Sequence, residues 1–145
     1  MSYRYLDTIA TADIAFEANG ATLEALFTAA AEAFLDITVR NSEKLECNLC
    51  RYVELQDEDE ENLLFDFLQE LIFLKDSKQL CLRANAGEMR IEETTRGRKL
   101  CATLRGDKLN PHKYEIGADV KAVTFHHFHV GQVNDQWLCT VVLDI

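Results

Sequence analysis

Residues 63–74, LLFDFLQELIFL, decide the fold of this chain. Their apolar side chains recur every three to four positions, which is the period of an α-helix with one apolar face. So broad an apolar stripe must be buried against another layer, and we expect the helix to pack on a sheet. The stripe consists of Leu63, Leu64, Phe67, Leu68, Leu71, Ile72 and Leu74.

An acidic run, residues 57–61 (DEDEE), lies directly before this helix. Carboxylates near a helix N-terminus are favoured by the helix macrodipole. The run is therefore interpreted as a solvated loop and the start of the helix. A strand is predicted before it, over residues 45–55.

A strand and a first helix are predicted nearer the N-terminus. Residues 12–18 alternate between an apolar face and a face that carries Asp13, as in a half-buried strand. Residues 19–20, Asn-Gly, are a turn signal. From Thr22, a suitable N-cap, apolar residues recur at helical spacing to about Asp36.

After residue 78 the pattern is typical of strands to the end of the chain. Two helices separated by strands, followed by a run of strands, indicate an α+β two-layer domain, with two helices packed on a largely antiparallel sheet. No internal repeat or linker divides the chain, so residues 1–145 are expected to form a single domain. The later strands are predicted at about 79–85, 87–95, 98–105, 119–130 and 136–144.

The composition limits the classes of function. There are 25 Asp and Glu against 15 Lys and Arg, a formal net charge of -10, which repels a phosphate backbone and argues against non-specific nucleic-acid binding. An acidic surface suits hard cations or a basic protein partner, although it also serves solubility. No segment resembles a signal peptide or a membrane span, which predicts a soluble, cytoplasmic protein. The five cysteines, an odd number, favour reduced packing residues over a disulfide framework.

The last five residues, VVLDI (141–145), place Asp144 directly after an apolar run that is typical of a buried strand. A lone carboxylate at the edge of a core needs a partner, a metal ion or a proton. Ile145 would add its terminal carboxylate beside it. If Asp13 lies on a neighbouring strand, three carboxylates would converge and would require a cation or raised pKa values. Alternatively, Asp13 simply faces solvent.

For two other sets of residues, we favour an ordinary structural role over a metal or redox site. Cys47 and Cys50 have metal or redox spacing, but no second ligand pair accompanies them, and strand alternation would put them on opposite faces. Alternation also puts His127 and His129 on one face and His126 on the other. Ordinary hydrogen-bonded imidazoles are the commoner outcome, with a metal pair as the alternative.

The one basic concentration lies within residues 96–108. We interpret it as an exposed hairpin, with a docking surface for RNA or an acidic partner as the alternative.

Four segments together resemble the archease family, in order and over essentially the whole chain: TADIAF (11–16), LLFDFLQELIFL (63–74), VKAVTFH (120–126) and VLDI (142–145). Archeases are small acidic proteins that assist the RtcB-type RNA ligase, which joins tRNA exons and other cleaved RNAs after guanylylation of its active-site histidine. The resemblance implies a non-enzymatic activator in tRNA splicing and RNA repair, which promotes ligase guanylylation and multiple turnover. GTP and manganese would belong to the ligase. Rival functions are a metal-dependent phosphoester or nucleotide hydrolase and a general protein chaperone.

The resemblance also implies functional residues. A divalent cation, calcium in the first place with magnesium or manganese as alternatives, would be bound by Asp13, by Asp144 and by Ile145 through its terminal carboxylate or backbone oxygen. Hard oxygen ligands suit calcium or magnesium, whereas zinc would be unexpected. Lys121 and His126 would contact the ligase or a nucleotide, with a snorkelling side chain or an ion pair to an acid as the alternative for Lys121. The oligomeric state and the metal bound in cells stay open.

The chain departs from the family pattern at two positions. Relatives usually have histidine where this chain has Ala10, and glutamate where it has Asp107, before His112. Asp66 and Glu70 fit the family pattern and lie four apart on one helical face, where either partner binding or solvation would suffice.

Overall fold

The computed structural model describes residues 1–6 and 13–145, and within these ranges it has two α-helices and eight strands. Every pairing between these strands is antiparallel, which confirms the α+β class. Ala10, Thr11 and Ala12 lie outside the described residues. The elements are β1 (Ser2–Leu6), β2 (Asp13–Gly20), α1 (Leu23–Thr38), β3 (Leu49–Asp57), α2 (Glu60–Lys78), β4 (Leu80–Arg83), β5 (Met89–Thr94), β6 (Gly97–Lys108), β7 (Ala122–Val133) and β8 (Gln136–Asp144).

Both helices begin where the sequence predicts. The Thr22 side chain accepts a hydrogen bond at 3.1 Å from the amide three residues further on, and the Asp59 side chain does the same at 2.8 Å. Each residue thereby caps a free amide of its helix. The acidic run does start α2, whose first turn carries Glu60 and Glu61. In the described part of the chain, no helix combines the length and the apolar character that crossing a membrane requires.

The strands form two sheets. The first has the order β1-β2-β8-β7, and the second has the order β3-β6-β4, with β5 also paired to β6. β6 is 12 residues long, so β3 pairs along one edge while β4 and β5 follow each other along the other edge.

One hydrophobic core joins both helices to both sheets. Phe16 of β2, Phe27 of α1, Phe67 of α2, Leu104 of β6 and Leu143 of β8 belong to the same cluster and are fully buried. The predicted stripe of α2 supplies seven of its members, from Leu63 to Leu74. The core therefore fixes the first sheet, and with it the end of β8, relative to the helices.

Two predicted boundaries near the N-terminal half are wrong. The strand expected over 45–55 starts only at Leu49, because a short 3-10 helix, Ser42–Lys44, precedes it and the amide of Glu46 donates a hydrogen bond to the Tyr114 hydroxyl at 3.1 Å. The turn expected at Asn19-Gly20 is still strand. Gly20 is needed there because a Cβ would collide with the first turn of α1.

β7 starts later than predicted, at Ala122, and it is not a regular strand. Its register against β8 shifts between Thr124 and His129, and His127 has a φ of 56°, in the left-handed region. Extra residues bulge out of the strand at this point. The predicted alternation of the three histidines, with His126 alone on one face, is therefore wrong.

Candidate functional site

The structure brings the two predicted carboxylates together at one end of the first sheet. Asp13 begins β2, Asp144 ends β8, and the two are direct partners in the antiparallel register. Direct partners share a face of the sheet, with Cβ atoms about 4.5–5.5 Å apart. We call Asp13, Asp144 and Ile145 the carboxylate end.

The carboxylate end lies where a buried strand leaves the core. Val141, Val142 and Leu143 are fully buried, whereas Asp144 is exposed and Ile145 is 40% exposed. The expectation that Asp144 suffers from burial is therefore wrong. What remains unfavourable is the repulsion between two like charges placed directly opposite each other.

The neighbouring strand adds a polar group that the sequence patterns did not reveal. Ala122 is the other partner of Asp144, and Thr124, two residues further along β7, pairs with Val142 on the same face. The Thr124 hydroxyl is buried and has no hydrogen-bond partner among the described residues. Such groups are rare, so this face of the sheet has an unused polar atom near the carboxylates. Strand alternation from Ala122 is the signal that could have found it.

The donor set at the carboxylate end consists of oxygens, which suits calcium or magnesium and does not suit zinc. Within residues 1–6 and 13–145, no group of three or more His, Cys, Asp or Glu side chains is placed to hold a metal ion. A site here would need an oxygen of Ile145 beside the two carboxylates. Water would complete the roughly six to eight ligands that calcium takes.

Of the two expected partner contacts, the structure places one beside the carboxylate end. The amide of Lys121 donates to the carbonyl of Asp144 at 2.7 Å, and the Lys121 side chain is exposed. His126 is exposed in the bulge of β7, with its ring 3.9 Å from that of His127. Among the described residues, no hydrogen bond or ion pair links His126 to the carboxylate end.

An exposed aromatic cluster lies beside His126. The ring of Phe125 stacks on that of Phe65 of α2, with centroids 4.1 Å apart and planes 3° apart, and Phe128 contacts Phe65 edge-on. Phe125 is nevertheless 73% exposed. Exposed aromatic side chains are enriched where proteins bind one another.

Asp66 is engaged by another carboxyl group. Burial, followed by the hydrogen bond and charge of Asp57, raises the pKa of Asp66 to about 6, and the hydrogen bond from Asp66 lowers the pKa of Asp57. The two groups share a proton at mildly acidic pH. Asp66 thus has a partner within the chain, while Glu70 is half-buried further along α2.

Asp107 also has a partner within the chain. It is 8% exposed and accepts hydrogen bonds from the Lys113 ammonium at 2.8 Å and the Tyr114 hydroxyl at 2.6 Å. These bonds, that of Lys113 above all, lower the pKa of Asp107 to about 2. Gly106 lacks room for a side chain because a Cβ would strike the Cys81 carbonyl of β4. The Gly106-Asp107 element therefore builds the fold at this point.

The basic concentration does form a hairpin, and its charges are mostly paired. Glutamates from β3, α2, β5 and the turn before β5 neutralise it, which disfavours a docking surface for anions. The pairs are Arg98 with Glu60 and Glu93, both at 3.4 Å, Lys99 with Glu54 at 3.2 Å, and Arg105 with Glu88 at 2.6 Å.

All five cysteines are free, as predicted. Cys81 and Cys139 are buried packing residues, whereas Cys47 and Cys50 are exposed. Cys47 precedes β3, so strand alternation does not apply to it and the prediction of opposite faces has no basis.

Comparison with known families gives a match to the archease protein family over residues 3–145. Protein archease of Thermococcus kodakarensis is 40% identical over 136 residues, which cover 93% of this chain and 94% of that protein. Protein archease of Pyrobaculum calidifontis is 37% identical over 145 residues, which cover 99% and 95%.

Two solved structures share the fold over nearly the whole chain. The solution structure of protein 1598 of Methanobacterium thermoautotrophicum has a TM-score of 0.84 at 30% identity and covers 99% of this chain and 98% of that one. The crystal structure of an archease of Thermotoga maritima, described as a possible chaperone, has a TM-score of 0.65 at 26% identity and covers 94% and 93%.

Proposed function

The chain belongs to the archease family, and on this premise we propose that it is a non-enzymatic activator of an RtcB-type RNA ligase in tRNA splicing and RNA repair. It promotes guanylylation of the ligase and its multiple turnover in the cytoplasm. The observation that carries the proposal is the direct pairing of Asp13 with Asp144 at an exposed strand end. That end is the part of the chain that acts on the ligase.

The charge of the chain supports a protein partner over an RNA partner. A net charge of -10 repels RNA and attracts a protein whose surface is basic, as the surface of an RNA-binding ligase must be. The chain therefore contacts RNA mainly through the ligase. Lys121, beside Asp144, and His126, beside the exposed aromatic cluster, contact the partner.

Asp13, Asp144 and Ile145 hold a divalent cation in this proposal, calcium first, with magnesium or manganese as alternatives. The all-oxygen donors and the repulsion between the facing carboxylates support a cation at this position. When bound, the cation supplies positive charge that can offset the charge of phosphate groups. The residues of the chain fix where that charge lies, because β8 is anchored in the core up to Leu143.

The test is to replace Asp144 with Asn and to measure ligase guanylylation and multiple-turnover joining with purified ligase. Asp144→Asn should lower multiple turnover by roughly tenfold or more, because loss of even an outer-shell partner of a metal ligand typically costs about 10- to 100-fold. Asp135→Asn is the matched control, because Asp135 is an exposed acid in the turn between β7 and β8. Full activity of a folded Asp144→Asn variant would refute the assignment.

The part played by Ile145 has its own test. Adding one glycine after Ile145 moves the terminal carboxylate and leaves every side chain intact. Calcium affinity and ligase activation should both fall if that carboxylate is a ligand. Unchanged values would remove Ile145 from the site and leave Asp13 and Asp144 in it.

A chaperone function is the second candidate, because the Thermotoga maritima archease is described as a possible chaperone and Phe125 is exposed here. A chaperone would bind varied unfolded clients and would be indifferent to Asp144→Asn. Suppression of aggregation of two unrelated unfolded proteins distinguishes it from the activator. The hydrolase alternative requires nucleotide or phosphoester turnover by the chain alone.

A further inference from the structure

Lys75, in the last turn of α2, is a buried lysine that none of the predicted sites includes. Its side chain is only 4% exposed. The ammonium donates to Asp119 Oδ1 and to the carbonyl of Val120, both at 2.7 Å, and lies 2.9 Å from Asp76 Oδ1. An ammonium has three donors, and here all three have acceptors.

The ammonium stays charged in this position. Burial lowers the pKa of Lys75, but the hydrogen bonds and charges of Asp119 and Asp76 together raise it above the ordinary value. A buried charge is tolerated only while its partners stay in place. The contact between α2 and the segment before β7 is therefore specific in geometry, because moving Asp119 or Val120 would leave the charge without acceptors.

The segment before β7, residues 117–121, leads directly to the carboxylate end. The amides of residues 117–118 donate to carbonyls at the end of α1 at 2.8 and 3.0 Å, and the amide of Lys121 donates to the carbonyl of Asp144 at 2.7 Å. Lys75 holds the chain between these two points. Asp144 ends β8, so the bond from Lys121 acts on the peptide that joins it to Ile145.

We propose that Lys75 is a positioning residue for the carboxylate end. By holding Val120 it places the amide of Lys121, and that amide orients the Asp144 carbonyl and the residue that follows. The positioning of the bond between Lys121 and Asp144 is inferred from the contacts alone, whereas its effect on cation binding rests on the proposed function. A purely structural role for Lys75 would instead lower the stability of the fold without any particular effect on this end.

A matched pair of variants separates the two roles. Lys75→Met removes the cation that bonds a carboxylate and a carbonyl near the carboxylate end. Arg83→Met removes the same kind of contact elsewhere, since Arg83 bonds Glu32 at 3.0 Å and the carbonyl of Ser42 at 2.9 Å. Asp119→Asn weakens the same contact from the side of Asp119, whose side chain is 77% exposed, and this variant replaces Lys75→Met if that one does not fold.

Amide hydrogen exchange at Lys121 and calcium titration by calorimetry are measured on each folded variant. Lys75→Met should speed exchange at Lys121 by at least roughly tenfold over Arg83→Met, and should weaken calcium binding by roughly tenfold, as second-sphere changes do. Asp119→Asn should have smaller effects in the same direction. Equal exchange at Lys121 in the Lys75 and Arg83 variants would overturn the proposal. So would an equal loss of calcium affinity in both. If the unsubstituted chain binds no calcium, the metal part of the proposed function fails, and the exchange result alone decides the positioning role.

Discussion

Replacing Asp13 with Asn should change the free energy of unfolding in opposite directions with and without calcium. Without a cation, Asp13 and Asp144 repel each other across the register. Two unit charges about 5 Å apart in water repel by about 0.8 kcal/mol, less in salt. Asp13→Asn should therefore raise the stability of the metal-free chain by roughly 0.3 to 0.8 kcal/mol at pH 7.

Calcium should reverse the order of stability of Asp13→Asn and the unsubstituted chain. A ligand at a hundred times its dissociation constant stabilises the state that binds it by about 2.7 kcal/mol. The unsubstituted chain should gain this amount, whereas Asp13→Asn, with one carboxylate lost, should gain little. The variant would then be the less stable of the two.

Urea unfolding followed by circular dichroism, in a chelator and in millimolar calcium, measures both effects. Asp135→Asn is the control, since it makes the same change in net charge in an exposed turn and should show neither effect. A loss of stability in the chelator, or an equal calcium shift in Asp13→Asn and the unsubstituted chain, would refute the account of this site.

Two further predictions follow from the internal carboxyl groups. The pKa of Asp66 is raised to about 6, so its contribution to stability is present below its unfolded pKa near 4 and is lost as pH rises from there through 6. Asp66→Asn should therefore be more stable than the unsubstituted chain by roughly 1 kcal/mol at pH 8 after solvent screening, and about equal to it near pH 3.5, in urea titrations at the two pH values. A gap that does not change with pH would count against the shared proton. The pKa of Asp107 is lowered to about 2, so its contribution to stability is present above pH 4 and is lost between pH 4 and 2. Asp107→Asn should lower the free energy of unfolding at pH 7 by about 2 kcal/mol in thermal or urea unfolding, because the bonds from Lys113 and Tyr114 lose a charged acceptor. Unfolding at pH 7 that is unchanged in Asp107→Asn would contradict this role.

The helices and the class of fold could be predicted because they depend on local pattern. The stripe from Leu63 to Leu74 and the caps at Thr22 and Asp59 act over a few residues, and the structure reproduces them. β1 was not predicted because Ser2–Leu6 is mostly exposed and shows little apolar alternation. The bulge in β7 could not be predicted, since counting alternate residues assumes a regular strand.

The facing carboxylates could be predicted only in part. Asp13 and Asp144 lie at opposite ends of the chain, and their pairing depends on the register between β2 and β8. Local pattern does not determine that register. Thr124 could have been identified by alternation from Ala122. Lys75 could have been identified because it continues the apolar stripe of α2 one turn after Leu71. Both were missed because a lone polar residue in an apolar pattern is usually exposed.

The activator function is tested by the number of RNA ends that each molecule of an RtcB-type ligase joins, with and without this chain. We expect the purified ligase with GTP and manganese to stop near one joining per molecule, and to join many RNA ends per molecule when the chain is added in substoichiometric amounts. Product that stays near one per ligase molecule in the presence of the folded chain would contradict the activator function.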